Sequence, residues 1–257
     1  MQVPDRSAPL SDPSAYDQRL AQLADRIRAA DFHFLPGAET RDCLQLRRAD
    51  ALADWAAFAA SWNDMPLDTY MADGGRYRRR RYAVLSAAAD SDRLVREPHQ
   101  PHYQSLEYNR LNGGIPRYFE PIAPEILTGP SMQTVLEIGL GLFRHLFPRG
   151  RAHVEVHQFR IEAGPATPGL PTPEGAHRDG TDFVLVMMVR RVNIASGTTE
   201  IFDLAQRRLD SFTLTDPLDT ALVNDRKVMH GVTPIEPLDP TQPAYRDVLV
   251  ATYRNSA

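Results

Sequence analysis

Cysteine is almost missing from this chain. Cys43 stands alone among 257 residues, so no intramolecular disulfide framework can form, and without partner cysteines neither a zinc ribbon nor an iron–sulfur site is available. That usage fits a reducing cytoplasm. Long apolar stretches are missing too: the longest run, Phe183 to Val189, falls far short of the roughly 18 residues that a membrane helix needs, which predicts a soluble protein with no membrane partner. The opening MQVPDRSAPLSDPS has prolines and acids where a signal peptide needs an apolar segment, and it reads as an unprocessed, flexible N-terminus. Excess positive charge is also lacking. A net charge of −4 gives no global attraction to nucleic acid. The one dense basic cluster, Arg76, Arg78, Arg79, Arg80 and Arg81, reads as a local phosphate site or as a strand whose cations are solvated or paired with acids.

What is present divides the chain in two, with length enough for one large core. Between Ser14 and Phe34, Leu20, Leu23, Ala24 and Ile27 recur at three- and four-residue steps, predicting an amphipathic helix with Ser14 as N-cap and Pro36 as stop. Further helices are expected over Leu46–Trp62, with Leu52, Trp55, Phe58 and Ala59 on one stripe, and over Met132–Phe147. After Gly150 the period becomes two: His153, Glu155, His157 and Phe159 alternate with Val154, Val156, Gln158 and Arg160. Strands are predicted there and at Thr181–Arg191, Thr198–Asp203, Asp210–Leu214, Leu222–Val228 and Tyr245–Arg254, with Arg81–Ala87 and His102–Tyr108 as further candidates. Short strands at close spacing suggest a sandwich or barrel. The organisation expected is a helical region over residues 1–70 packed on a core over residues 71–257. The loop Ala163–Gly175, with four prolines and three glycines, reads as the lining of a site entrance or as a passive connector.

The chemistry concentrates where E-G-A-H-R-D-G-T-D-F-V leads into the most apolar strand. His177 and Asp179 are two apart, so in extended chain they project to the same side and offer two adjacent ligands to a divalent metal, while Arg178 points away. Such a pair arises by chance in a chain of this composition, and a third ligand is needed. His230, at the end of the run from Ala221, is the best candidate. Two histidines and one carboxylate leave open positions on the opposite face of the metal, which suits a non-haem Fe(II) oxygenase. A chelating co-substrate, 2-oxoglutarate, then needs a cation for its distal carboxylate, for which arginine is better suited than lysine. Arg246 and Arg254 share one strand face but lie about 27 Å apart at roughly 3.3 Å per residue, so only one can serve. Arg246 is preferred, on a strand returning beside His230 after a hairpin, with Arg254 in reserve.

The segments P-E-G-A-H-R-D-G-T-D-F-V, N-D-R-K-V-M-H-G-V-T-P-I and Y-R-D-V-L-V-A-T-Y resemble the bacterial Fe(II)- and 2-oxoglutarate-dependent dioxygenases that include L-isoleucine dioxygenase and the biofilm stress and motility protein group. The likeness spans roughly Val154 to Tyr253, with Asn109-Arg-Leu-Asn-Gly-Gly-Ile a fainter match upstream. It implies an α+β protein with a double-stranded β-helix (jelly-roll, cupin-like) core, iron on His177, Asp179 and His230, and the co-substrate on Arg246. It also implies a free L-amino acid as substrate, hydroxylated or oxidised at a thioether sulfur. Because the metal carboxylate is present as Asp179, hydroxylation is favoured over halogenation.

Tyr103, Gln104, Asn109, Gln158 and Arg160 are candidate substrate contacts, with His99 and His102 in a polar loop nearby. His153 and His157 read as packing rather than ligands, for want of a carboxylate between them. Two alternatives remain open: a zinc hydrolase on the same triad with Glu174 as base, and a jelly-roll binding or sensor protein without catalysis. Covering the barrel or forming a homo-oligomer are roles open to the N-terminal region.

Overall fold

The computed structural model describes residues 13–256, so the reading of the first residues as a flexible terminus falls almost entirely outside it. In chain order the elements are α1 (Pro13–Ala30), β1 (Phe32–Leu35), α2 (Gly37–Arg47), α3 (Trp55–Ala60), β2 (Arg78–Ala87), β3 (Val95–Arg96), α4 (Pro124–Leu127), α5 (Pro130–Leu146), β4 (Arg151–Ala163), β5 (Phe183–Val192), β6 (Ile194–Ser196), β7 (Thr199–Asp203), β8 (Arg208–Phe212), β9 (Thr220–Asn224), β10 (Val228–Val232), β11 (Ile235–Pro237) and β12 (Ala244–Ser256). Seven strands form one sheet in the order β1-β9-β5-β12-β4-β2-β3, three more form β10-β7-β8, and β11 pairs with β6.

Alternation along the strands gives the large sheet two different faces. One is apolar and carries the helices: Val154 and Val156 of β4, Leu185 and Met187 of β5 and Leu249 of β12 pack with Leu23 and Ile27 of α1, Phe58 of α3 and Leu136 and Phe143 of α5. Trp62 is fully buried in this layer, and truncating it to Ala would cost about 3–5 kcal/mol. The other face meets the small sheet, where Val184 and Val223 pack against Ile201 of β7 and Val228 of β10. Two antiparallel sheets face to face, with helices behind the larger one, make an α+β protein with a double-stranded β-helix core. No helix among the described residues is long and apolar enough to cross a membrane.

Several boundaries differ from those read off the sequence. The first helix already includes Ser14 in its opening turn and ends at Ala30, because Asp31 adopts φ +63°. Phe32–Phe34 are therefore strand, pairing with Val223, Leu222 and Ala221 of β9, and the N-terminal region is not purely helical. Pro36 precedes α2 rather than stopping α1. The expected helix Leu46–Trp62 is broken: α2 ends at Arg47, Arg48 is extended, and only Trp55–Ala60 is helical. Asp54 explains part of this, since its carboxylate accepts from the backbone N–H and hydroxyl of Ser131 (2.9 and 2.5 Å) in the first turn of α5, where the helix dipole favours an anion. The expected strand His102–Tyr108 is a loop with a single bridge, His102 to Arg117. The run through Val228 is split by a turn into β9 and β10, so His230 lies in the small sheet. Arg246 is on β12, between β4 and β5, and reaches the same cavity from the large sheet rather than by a hairpin with the strand of His230.

Candidate active site

A cavity of about 330 Å³ opens between the two sheets, and His177, Asp179, His230, Arg246, Arg80 and Arg117 are among the residues that line it. Backbone pairing builds its floor. The N–H of His177 donates to the carbonyl of His230 and the reverse bond is equally short, both 2.9 Å, so two residues 53 apart in sequence sit directly opposite one another. Asp179 is fixed by Asp225, whose carboxylate accepts from the backbone N–H groups of Asp179, Gly180 and Thr181 at 2.9, 2.9 and 3.0 Å. Gly180 permits this turn: its φ is +77°, and a Cβ there would lie 2.5 Å from the ring of Tyr108. Arg178 points away, its guanidinium 5.2 Å from the Tyr108 ring centroid.

The side-chain atoms converge. His177 Nδ1 donates to the carbonyl of Gly175 at 3.1 Å, which turns Nε2 towards Asp179 Oδ1 at 3.6 Å, while His230 Nε2 lies 3.6 Å from Asp179 Oδ2. One donor atom from each residue lies within 4.8 Å of the others. The cluster is already arranged for positive charge. Burial opposes protonation of His177, but the Asp179 carboxylate and the charge of Glu174 outweigh it and push His177 up to about 9. Burial and the neighbouring His177 push His230 down to about 4. Two imidazoles whose Nε2 atoms face one carboxylate suit Fe(II) with an open coordination face.

Arg246 supplies the second feature. It is 2% exposed, its Nε and Nη1 are buried without a hydrogen-bond partner, and burial followed by the charge of Arg191 lowers it to about 10. A buried guanidinium without an anion is costly, and its planar fork matches a carboxylate. Arg254 also lines the cavity but is exposed, at the other end of β12 opposite His153.

Tyr103, Gln104 and Asn109 all line the cavity. Gln104 Nε2 donates to the Asp179 backbone carbonyl and Oδ1 (3.3 and 3.4 Å), and its Oε1 accepts from Asn109 Nδ2 at 3.2 Å. Gln158 and Arg160 do not reach it. They continue the row of β4 that faces the helices, where Gln158 Nε2 donates to Ser61 Oγ and Arg160 forms a two-pronged pair with Asp247. His99 is exposed, whereas His102 and His157 are inside. A carboxylate does lie between His153 and His157: His102 Nδ1 donates to Glu155 Oε2 at 2.7 Å and His153 Nε2 lies 3.2 Å from Oε1. Of the basic cluster, Arg78 pairs with Asp68, Arg79 with Glu162, and Arg81 donates to the carbonyls of Ser61 and Asp64. Arg80 enters the cavity, a placement signalled only by its period-two offset within β2. Arg117 and Asp225 carry no comparable signal.

The family model for 2OG-Fe dioxygenases matches residues 59–252. L-isoleucine-4-hydroxylase of Bacillus thuringiensis is 28% identical over 70% of this chain and 75% of its own length. A 3(1)-hydroxy-L-isoleucine 4-dioxygenase of Pantoea ananatis is 25% identical over 92% of this chain and 97% of its own. Among solved structures, a bsmA homolog from Methylobium petroleophilum PM1 is 38% identical and superposes with a TM-score of 0.82, over 92% of this chain and 93% of that one. The chain belongs to the 2OG-Fe dioxygenases, enzymes that act with Fe(II) and 2-oxoglutarate.

Proposed function

We propose that His177, Asp179 and His230 hold the Fe(II), that Arg246 anchors the distal carboxylate of 2-oxoglutarate, and that the substrate is a free L-amino acid, hydroxylated at a carbon. Arg246 is the observation that carries the co-substrate assignment: it faces the same cavity as the triad, buried, with Nε and Nη1 unpartnered among the described residues. Bound Fe(II) and 2-oxoglutarate supply the activation of oxygen for attack on the substrate. The protein orients the ligands through Gly175 and Asp225 and sets them in a cavity between two sheets that leaves their side chains only partly exposed.

The amino-acid reading has two supports. Both curated relatives are named for oxidation of isoleucine or its hydroxylated form. The cavity also presents charge of both signs, Arg80 and Arg117 with Glu174, whose Oε2 is buried without a partner among the described residues, as a zwitterion requires. Family membership favours neither the zinc-hydrolase nor the sensor reading. We also read the described residues of the two expected regions, 13–70 and 71–256, as one unit, because β1 is an edge strand of the large sheet and α1–α3 share its core.

The first test adds Fe(II) and 2-oxoglutarate to metal-free protein without oxygen. A visible charge-transfer band is expected, absent from His177→Ala. Release of succinate is then screened against free amino acids. A folded, metal-bound protein with no band would overturn the co-substrate assignment.

A further inference from the structure

Three buried guanidinium groups line the cavity without a carboxylate partner among the described residues: Arg246, Arg80 and Arg117. On the reading above, 2-oxoglutarate provides the anion for Arg246. Arg80 and Arg117 remain.

Arg80 is 4% exposed and Arg117 1%, and the Nε of each is buried with no partner. Among the described residues the side chain of Arg80 makes one hydrogen bond, from Nη2 to Nδ1 of His157, a neutral acceptor at 2.9 Å. Its guanidinium lies 3.9 Å from the Phe119 ring centroid and 4.6 Å from that of Phe159. Arg117 lies 5.9 Å from the same Phe119 centroid, and its Nη2 donates to Gln104 Oε1 at 3.0 Å. Of the nearby acids, Asp68 is committed to Arg78 and Glu155 to His102 and His153, while Glu174, whose charge reaches Arg117, has its Oε1 3.6 Å from His177 Nδ1 and forms no ion pair with either arginine. Both arginines are held by backbone structure. Arg80 lies on β2 opposite Phe159, and Arg117 is clamped to His102 by two backbone hydrogen bonds of 2.9 Å.

We infer that Arg80 and Arg117 form a preorganised carboxylate subsite that binds the acid group of the substrate; this rests on the small-acid reading of the same cavity. A neutral ligand would leave two buried cations unpaired, whereas a carboxylate accepts from planar guanidinium donors in parallel. The cavity of about 330 Å³ must hold 2-oxoglutarate as well, which limits the second acid to a small molecule. Gln104 separates the subsite from Asp179 by one amide side chain, accepting from Arg117 and donating to Asp179 Oδ1.

The test titrates oxygen-free protein, loaded with Fe(II) and 2-oxoglutarate, by calorimetry. The probes are the twenty L-amino acids, short 2-hydroxy and unsubstituted carboxylic acids, and the carboxamide of every acid that binds. The carboxamide is expected to bind at least about tenfold more weakly than its acid. Arg80→Met and Arg117→Met should each weaken the acid by a similar factor while 2-oxoglutarate affinity stays within about twofold, which also shows that the variants fold. Arg117→Lys, which keeps the charge without the fork, should fall between, and it decides the matter where a methionine variant loses 2-oxoglutarate. Equal binding of acid and carboxamide, or unchanged affinity in the arginine variants, overturns the subsite, as does failure of every acid to bind. If 2-hydroxy acids bind through Arg117 and amino acids do not, the amino-acid reading falls and the subsite stands.

Discussion

Two clusters in one cavity offer the same donors, two histidines and a carboxylate: His177, Asp179 and His230, and His102, Glu155 and His157. Their neighbours make them different. In the first, a backbone carbonyl takes Nδ1 of His177 and leaves Nε2 facing Asp179. In the second, the lone pair of His157 Nδ1 already accepts from Arg80, and Glu155 accepts from His102 and His153. Arg80 and Arg117 add positive charge beside it, so that burial, then Arg80, keeps His157 well below the usual imidazole range. The surrounding charge favours a cation at the first cluster and disfavours one at the second, where His157 instead braces Arg80 of the proposed anion subsite. Donor type alone does not make a metal site; the hydrogen-bond assignment of each ring nitrogen and the sign of the surrounding charge do.

Metal analysis gives the most severe test of that contrast. Asp179→Ala should lose iron and turnover by more than about 100-fold, beyond the loss expected for an outer partner, while Glu155→Gln should still bind one iron per chain. Loss of iron in Glu155→Gln would erase the distinction. Asp225→Ala frees the three N–H groups that hold the Asp179 turn and should weaken iron by about 10- to 100-fold, read by competition with a chelator. For the co-substrate, Arg246→Ala removes a charge-assisted pair of about 1.5–3 kcal/mol and should weaken 2-oxoglutarate about 10- to 100-fold. Arg254→Ala should change it less than about twofold, and the reverse ranking would move the anchor to Arg254.

The smallest effect concerns pH. Burial lowers His102, and burial with Arg80 lowers His157, below the ordinary value of 6.5. Below that value the unfolded chain takes up protons that the folded one refuses, so stability falls as pH drops through it. His177, pushed up to about 9, contributes the opposite slope, so the contribution of His157 is read by difference: His157→Gln should raise the melting temperature at pH 5.5 relative to that at 7.5, compared with the unsubstituted protein. An unchanged difference would mean that burial and Arg80 do not hold His157 neutral.

Much of this was legible in the chain because it depends on short periods. The three- and four-residue spacing of Leu20, Leu23 and Ile27 marked α1, and alternation marked β4 and β12. The failures have local causes that propensity does not carry. Asp31 in a left-handed conformation ends α1 early, and Asp54 caps a helix 77 residues away. Gln158 and Arg160 looked like pocket residues because they are polar, yet they belong to the row that faces the helices and find Ser61 and Asp247 there.

The sequence by itself determined which groups were on offer: His177 and Asp179 at a spacing of two, His230 as the proposed third ligand, and Arg246 as the proposed partner of a dicarboxylate. Tertiary structure decided the rest. The backbone bridge of His230 to His177, Arg246 reaching the cavity from the large sheet, and Arg80 and Arg117 brought together with no carboxylate partner among the described residues all depend on residues far apart in the chain. Periodicity reports which face a side chain takes, but only packing reports what stands opposite it.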